Sequence, residues 1–180
     1  MKEKNLVLYS AAHPDLRLRA INKADIENLR VWKNRFKSTC FLNEDISPEQ
    51  QENWYSSFGD RQDDFMFVVE QKIMEEWEGI GCMGFRKLQN EGCMDAYNMI
   101  RGTKIKPASF TMGDAFSLML TYANTIEENL PIQSKCLQSN PALLWYQRNN
   151  FTIVRTSNNF YLMELSKESL KDSDLIIKNS

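Results

Sequence analysis

Apolar and polar positions along this chain change period several times, and each change marks an element. Leu16, Leu18 and Ala20 alternate with Arg17 and Arg19, the two-residue period of a strand with one buried face. Ile26, Leu29, Trp32 and Phe36 then recur at three- and four-residue steps, which predicts a helix, with Asn22 or Asp25 placed to start it. Ser47-Pro48-Glu49-Gln50 supplies a hydroxyl N-cap, a proline at the first helical position and a Gln two residues later, a capping box that opens a second helix carrying Trp54, Tyr55 and Phe58. After a polar turn from Gly59 to Asp64, strands are expected at Phe65 to Glu70, Gly79 to Arg86 and Cys93 to Arg101. The breaks at Glu75 to Glu78 and Gln89 to Gly92 are short and polar, so the three should form an antiparallel meander.

The second half changes back to the helical period. Met112, Phe116, Met119, Ala123 and Ile126 are spaced four, three, four, three, which predicts a longer helix from Thr111 with Asp114, Ser117, Thr121 and Asn124 on its other side. Ile132 to Leu137 read as a strand. Asn140 can then cap a helix with its side-chain oxygen, Pro141 fits the first helical position, and Asn150 tolerates the left-handed conformation that ends a helix before Phe151 opens another strand. Phe151 to Arg155 and Phe160 to Leu165 close the pattern around a turn at Thr156 to Asn159. Residues 1–15 read as a polar leader or first edge strand, 16–165 as one domain, and 166–180 as a polar tail, loosely docked at best.

Composition narrows the function classes. The chain has 180 residues, enough for one domain with a real core, and no apolar run long enough to span a bilayer. A net charge of −2 lacks the basic excess on which nucleic-acid binders depend. The expectation is a cytoplasmic protein with neither nucleic acid nor membrane as partner. Cys40, Cys82, Cys93 and Cys136 form no C-x-x-C pair and read as reduced, mostly buried thiols. With one histidine, His13, the chain has little for a zinc site or a histidine-based triad, and no metal is expected.

The run Asn140-Pro141-Ala142 followed by Tyr146, Asn150 and Phe151 resembles the last motif of the GNAT acetyltransferases, N-x-x-A-x-x-x-Y-x-x-x-G-F, with Asn150 in place of the Gly. The element order from Leu16 to Leu165 is similar to that family's as well. The resemblance implies an α/β (α+β) fold with a mixed, mostly antiparallel central sheet and helices on both faces. It also implies acetyl-CoA as cosubstrate and a direct transfer of acetyl to an amine. Within the family, Arg30 to Asn34 with Ile46-Ser47-Pro48 and Trp54-Tyr55 look like the branch of ribosomal-protein N-terminal and nucleotide-amino-sugar acetyltransferases.

By the same resemblance, Tyr146 would protonate the leaving thiolate, backbone around Met99 and Ile100 would pair with the pantetheine arm, and Asn140 would bond to that arm. The family's phosphate loop, Q/R-x-x-G-x-G/A, matches Ala108 to Gly113, but only Gly113 keeps the pattern. Thr111, Met112 and Gly113 would then meet the pyrophosphate, with Lys104 and Lys106 near by. Two-residue alternation puts Asp95 on one strand face with Tyr97 and Met99, which makes it the first candidate for the base ahead of Glu70 and Glu44. Trp32, Asn34 and Trp54 lie on the helices that cover the acceptor site in this family, and Arg101 could meet an acceptor phosphate or carboxylate. Each also has a plain structural role open to it: a buried tyrosine, a helix cap, a core tryptophan, a solvated acid. The expected acceptor is a small amine, with a nucleotide-linked amino sugar first. A protein N-terminus or lysine, or a non-catalytic binding module built on the same fold, are the alternatives, and the expected state is monomer or homodimer.

Overall fold

The computed structural model describes residues 5–39, 41–104, 109–170 and 175–179. Among these residues nine strands form one sheet: β1 (Leu6–Ser10), β2 (Leu16–Ala20), β3 (Asp64–Ile73), β4 (Glu76–Leu88), β5 (Cys93–Arg101), β6 (Ile132–Leu137), β7 (Phe151–Thr156), β8 (Phe160–Leu165) and β9 (Leu175–Asn179). Their spatial order is β7-β8-β6-β5-β4-β3-β2-β1-β9. All neighbours run antiparallel except β5 and β6, which are parallel. The helices are α1 (Ile26–Arg35), α2 (Pro48–Phe58), α3 (Met112–Ile126) and α4 (Leu143–Arg148).

Two apolar layers hold the helices to opposite faces. On one, Phe116, Met119 and Ala123 of α3 and Tyr146 of α4 pack with Leu8, Leu18, Phe67, Phe85 and Met163. On the other, Leu29 and Trp32 of α1 and Phe58 of α2 pack on Met66, Val68, Cys82 and Ile100. Ser47 caps α2 as its sequence requires, bonding Gln50 N at 3.1 Å while Gln50 Oε1 accepts from Ser47 N at 2.8 Å. Backbone in this second layer comes close to aromatic carbon: a Cβ at Gly102 would lie 2.2 Å from Trp32.

Several expectations need correction. The polar tail contains a strand, β9, which pairs with β1 from Leu6↔Asn179 to Ser10↔Leu175, so β1 is an interior strand and the sheet extends past both expected domain limits. The apolar triplet Leu175-Ile176-Ile177 is what makes that pairing possible. The expected break at Glu75 to Glu78 shrinks to a tight turn with Met74 at φ 55°, and Glu76, Trp77 and Glu78 belong to β4. Ile126 does not complete the α3 stripe; it is exposed at the last turn, whereas Ala115, Leu118 and Leu120 widen the buried face. Phe36 sits at the end of α1 and is partly exposed. Cys82, Cys93 and Cys136 are free and buried, and Cys40 lies outside the described residues.

Candidate functional site

Among the described residues, the one parallel pair in the sheet is also its shortest. β5 and β6 match at Met94↔Ile132 and Asp95↔Gln133 and nowhere further. Beyond that point Ala96 to Arg101 and Ser134 to Leu137 diverge, and the wedge between them opens into a cavity of about 570 Å³. One wall is α4 with its entry turn, through Asn140, Ala142, Trp145 and Tyr146; the other is formed by Phe36, Thr39, Phe41 and Trp54 from the α1 and α2 region. A smaller cavity of about 110 Å³ adjoins it and shares Lys33, Trp54, Asn98 and Ile100.

A bulge in β5 shapes the wedge. Gly84 pairs with Tyr97 and Cys82 with Ile100, so Asn98 and Met99 together face one residue of β4. Asn98 takes φ 56°, a left-handed conformation its short amide side chain tolerates. The expected alternation therefore fails after Tyr97. Tyr97 packs with the α1 and α2 layer, Met99 with the α3 and α4 layer, and Ile100 returns to the first.

Tyr146 is buried at the foot of the wedge. Its ring lies 5.3, 5.7 and 6.4 Å from those of Trp145, Phe151 and Phe116, and its hydroxyl accepts from Ser134 Oγ at 3.2 Å. Asn150 at φ 65° ends the turn after α4 as its residue type suggests. Asn140 lines the cavity with both amide groups in use: Oδ1 accepts from Ala142 N at 2.8 Å, and Nδ2 donates to Thr39 O at 3.2 Å. It caps the turn that enters α4, and the helix itself begins at Leu143, later than Pro141.

Asp95 also lines the cavity and is almost fully buried. Arg86 donates to its Oδ2 from Nη2 at 2.8 Å and Nε at 3.0 Å. Burial pushes the carboxyl above its ordinary value, against the opposing pull of Arg86. Beside this pair the Arg86 guanidinium lies 5.0 Å over the Tyr97 ring, and the Tyr97 hydroxyl donates to Asp64, which in turn faces Arg61 at 3.6 Å. Burial first, and then Asp64, raise the Tyr97 phenol well above its usual value, so it stays protonated.

The remaining site candidates separate. Trp54 and Arg101 line the cavity. Trp32 does not; it is core, and its ring lies against Gly102. Asn34 does not either, because its amide is spent on Ile46, accepting from N at 2.8 Å and donating to O at 3.0 Å. Glu70 is held by Arg17 and Arg19 at 2.5 and 2.9 Å away from the cavity lining, and Glu44 is exposed. Sequence reasoning missed Arg61, Asp64, Arg86, Lys135 and Ser134. The one signal available for Arg86 was its hairpin register, which sets it opposite Asp95.

At the start of α3, Thr111 caps the helix and Met112 and Gly113 form its first turn. Two of the first-turn donors are already matched within the chain, with Thr111 Oγ1 accepting from Gly113 N and Asp114 N at 3.2 Å each. Ala108 and Lys106 lie outside the described residues. The wedge offers strand backbone along which an extended acyl-pantetheine arm would lie, whereas the α3 terminus, with the Gly113 and Asp114 N–H groups taken and the Asp114 carboxylate upon it, is a poor fit for a diphosphate.

Comparison with solved structures places this geometry in a known fold. Over 87% of this chain and 98% of the other, it is similar to spermidine N-acetyltransferase from Vibrio cholerae, solved with CoA and spermine (TM-score 0.70, 17% identity). FdhC, described as a nucleotide-linked sugar GNAT, aligns over 90% of this chain and 92% of its own (TM-score 0.71, 10% identity). The N-acetyltransferase PseH from Campylobacter jejuni aligns over 86% and 99% (TM-score 0.58, 20% identity). No family model matches the sequence, and no curated protein matches it. The chain has the GNAT acetyltransferase fold, as the order of its elements suggested.

Proposed function

We propose that this chain is a GNAT-type N-acetyltransferase that moves an acetyl group from acetyl-CoA to the amine of a small anionic acceptor, a nucleotide-linked amino sugar being the first choice. The observation that carries the acceptor class is the charge of the cavity. Lys33, Arg61, Arg86, Arg101 and Lys135 line it against two carboxylates, Asp64 and Asp95, and both carboxylates already face arginine. Such a lining attracts phosphate and repels a polycation. Among the structural relatives this favours the sugar-nucleotide type of substrate over spermidine.

The chain's residues support a direct attack in a ternary complex. The divergence of β5 from β6 leaves strand backbone around Met99 and Ile100 beside the wedge, where an extended arm can add as a surrogate strand. Acetyl-CoA supplies the activated thioester. Tyr146, buried at the foot of the wedge with Ser134 donating to its oxygen, is placed to give its phenolic proton to the departing sulfur. Asp95, whose carboxyl is raised by burial and whose contacts with Arg86 both fall on Oδ2, has Oδ1 outside that ion pair for taking the amine proton. Trp54 and Arg101 would border the acceptor. The Cys93 and Cys136 thiols are poor nucleophiles for a covalent route, since burial pushes both up.

A thiol-release assay with acetyl-CoA tests the reading against a panel of nucleotide-linked amino sugars, polyamines and peptide N-termini. Turnover with the anionic amines and none with spermidine is the expected result. Turnover with spermidine or peptides alone would overturn the acceptor class. No turnover, together with no rise in Tm at millimolar acetyl-CoA, would overturn the enzyme. The capture of the Gly113 and Asp114 N–H groups by Thr111 favours that second reading, a binding module on the same fold.

A further inference from the structure

A helix N-terminus attracts phosphate because its first N–H groups lack partners and the helix dipole favours negative charge there. At α3 the chain itself takes up much of both attractions. Thr111 Oγ1 takes the N–H groups of Gly113 and Asp114, and Asp114 Oδ2 accepts from the N–H and the hydroxyl of Thr111 at 2.7 and 2.8 Å. The anion on this helix is the chain's own carboxylate. A diphosphate brought to the same turn would meet like charge, and it would have to displace a complete capping box.

Neighbouring contacts fasten the arrangement from two sides. His13 Nδ1 lies 2.9 Å from Ser109 O, so that nitrogen carries the proton, and Nε2 lies 3.8 Å from Asp114 Oδ1. Gly113 is covered as well: Asn149 Oδ1 stands 2.9 Å from the position a Cβ there would take, and Asn149 Nδ2 is tied to Trp145 O at 2.8 Å. The bare backbone that a glycine offers to a ligand is occupied by an amide oxygen, which is an acceptor facing where another acceptor would have to come.

We infer that the acyl donor is held through its pantetheine arm and thioester in the β5–β6 wedge, and that α3 contributes no grip on the diphosphate. This rests on the acyltransferase reading above and specifies its donor: any acyl-pantetheine thioester serves, and the adenosine diphosphate part adds little to affinity. Asp114 is the residue that sets this preference.

Calorimetric titration of the full chain with acetyl-CoA and with S-acetylpantetheine tests it. The two dissociation constants should agree within fivefold. Asp114→Asn keeps an oxygen for the capping bonds and removes the charge, so it should tighten acetyl-CoA about tenfold, or 1.4 kcal/mol, and leave S-acetylpantetheine unchanged. Acetyl-CoA binding more than fivefold tighter than S-acetylpantetheine to the unaltered chain would overturn the inference, as would weaker acetyl-CoA binding by a folded Asp114→Asn. Because the first comparison uses no variant, misfolding of Asp114→Asn leaves it decisive. Failure by the first of these results leaves the acyltransferase reading standing, whereas binding of neither donor at millimolar concentration overturns both.

Discussion

Replacing Tyr146 by Phe separates the chemical role of the hydroxyl from the structural role of the ring. The ring contacts with Trp145, Phe151 and Phe116 survive the change, because Phe keeps the same plane and nearly the same volume. The loss includes the acceptor for Ser134 Oγ, a side chain in a residue that is only 1% exposed. A buried hydroxyl that loses a hydrogen-bond partner costs about 1 to 2 kcal/mol, which for a chain of this size lowers Tm by roughly 3 to 6 °C. A positioned general acid contributes about 10² to 10⁴ in rate, so kcat should fall by at least a hundredfold while the affinity for acetyl-CoA stays within about threefold. Ser134→Ala supplies the comparison: it removes the same hydrogen bond from the other side and should show a similar loss of Tm with a much smaller loss of kcat. Steady-state kinetics on all three proteins, with unfolding curves on the same samples, decide the matter. Equal kcat for the Tyr146→Phe and unaltered proteins, or equal losses in both variants, would refute the assignment of the proton to Tyr146.

Four further outcomes follow from particular contacts. Asp95 has a folded-state pKa raised by burial, so the folded chain holds its proton more tightly than the unfolded chain does. Above the ordinary carboxylate value near 4, stability should therefore fall as pH rises through the folded pKa, while kcat/KM rises over the same window as the base deprotonates; Asp95→Asn should abolish that acid limb in a pH–rate profile. Gly102→Ala puts a methyl 2.2 Å from the Trp32 ring and should cost about 2 kcal/mol, read as a Tm lower by about 4 to 8 °C. Asn150→Gly should be neutral or slightly stabilising at φ 65°, whereas Asn150→Val should cost about 1 to 2 kcal/mol in a denaturant titration. Ending the chain after Leu170 removes the strand that pairs with β1 and leaves Leu6 and Leu8 at a bare edge, so Tm should fall and the shortened protein should aggregate in light scattering.

Elements set by local chemistry were legible in the sequence. The capping box at Ser47 and the left-handed Asn150 depend on residues within a few positions of one another, and the structure has them; the Thr111–Asp114 box is equally local but went unread, because the resemblance implies a phosphate loop there. Long strongly periodic segments such as α3 and β3 to β5 were legible for the same reason. Pairing partners distant in sequence were not: Leu175–Asn179 looks like part of a polar tail until β1 is placed beside it. Trp32 and Asn34, expected on the helices beside the acceptor, stand outside the cavity lining, because a helix face holds both core and rim positions and the sequence does not say which side of the helix looks into the wedge.

The bulge at Asn98 explains the larger part of what the sequence concealed about the site. Strict alternation would carry Asp95, Tyr97 and Met99 along one face, and a one-residue slip moves every later side chain to the other. With Asn98 at φ 56°, Met99 turns into the α3 and α4 layer and Ile100 into the α1 and α2 layer, where it borders both cavities. The same insertion lies where β5 parts from β6, so the device that scrambles the sequence pattern coincides with the one that opens the wedge. An Asn inside an otherwise apolar strand, Tyr97-Asn98-Met99-Ile100, was the visible trace of it. Substituting Asn98 by Val, which resists the left-handed conformation, should drive β5 toward regular pairing and narrow the wedge. Acetyl-CoA affinity would then fall by about tenfold or more, while the far-ultraviolet circular dichroism of the sheet is retained. Unchanged affinity in that variant would show that the bulge and the wedge are independent.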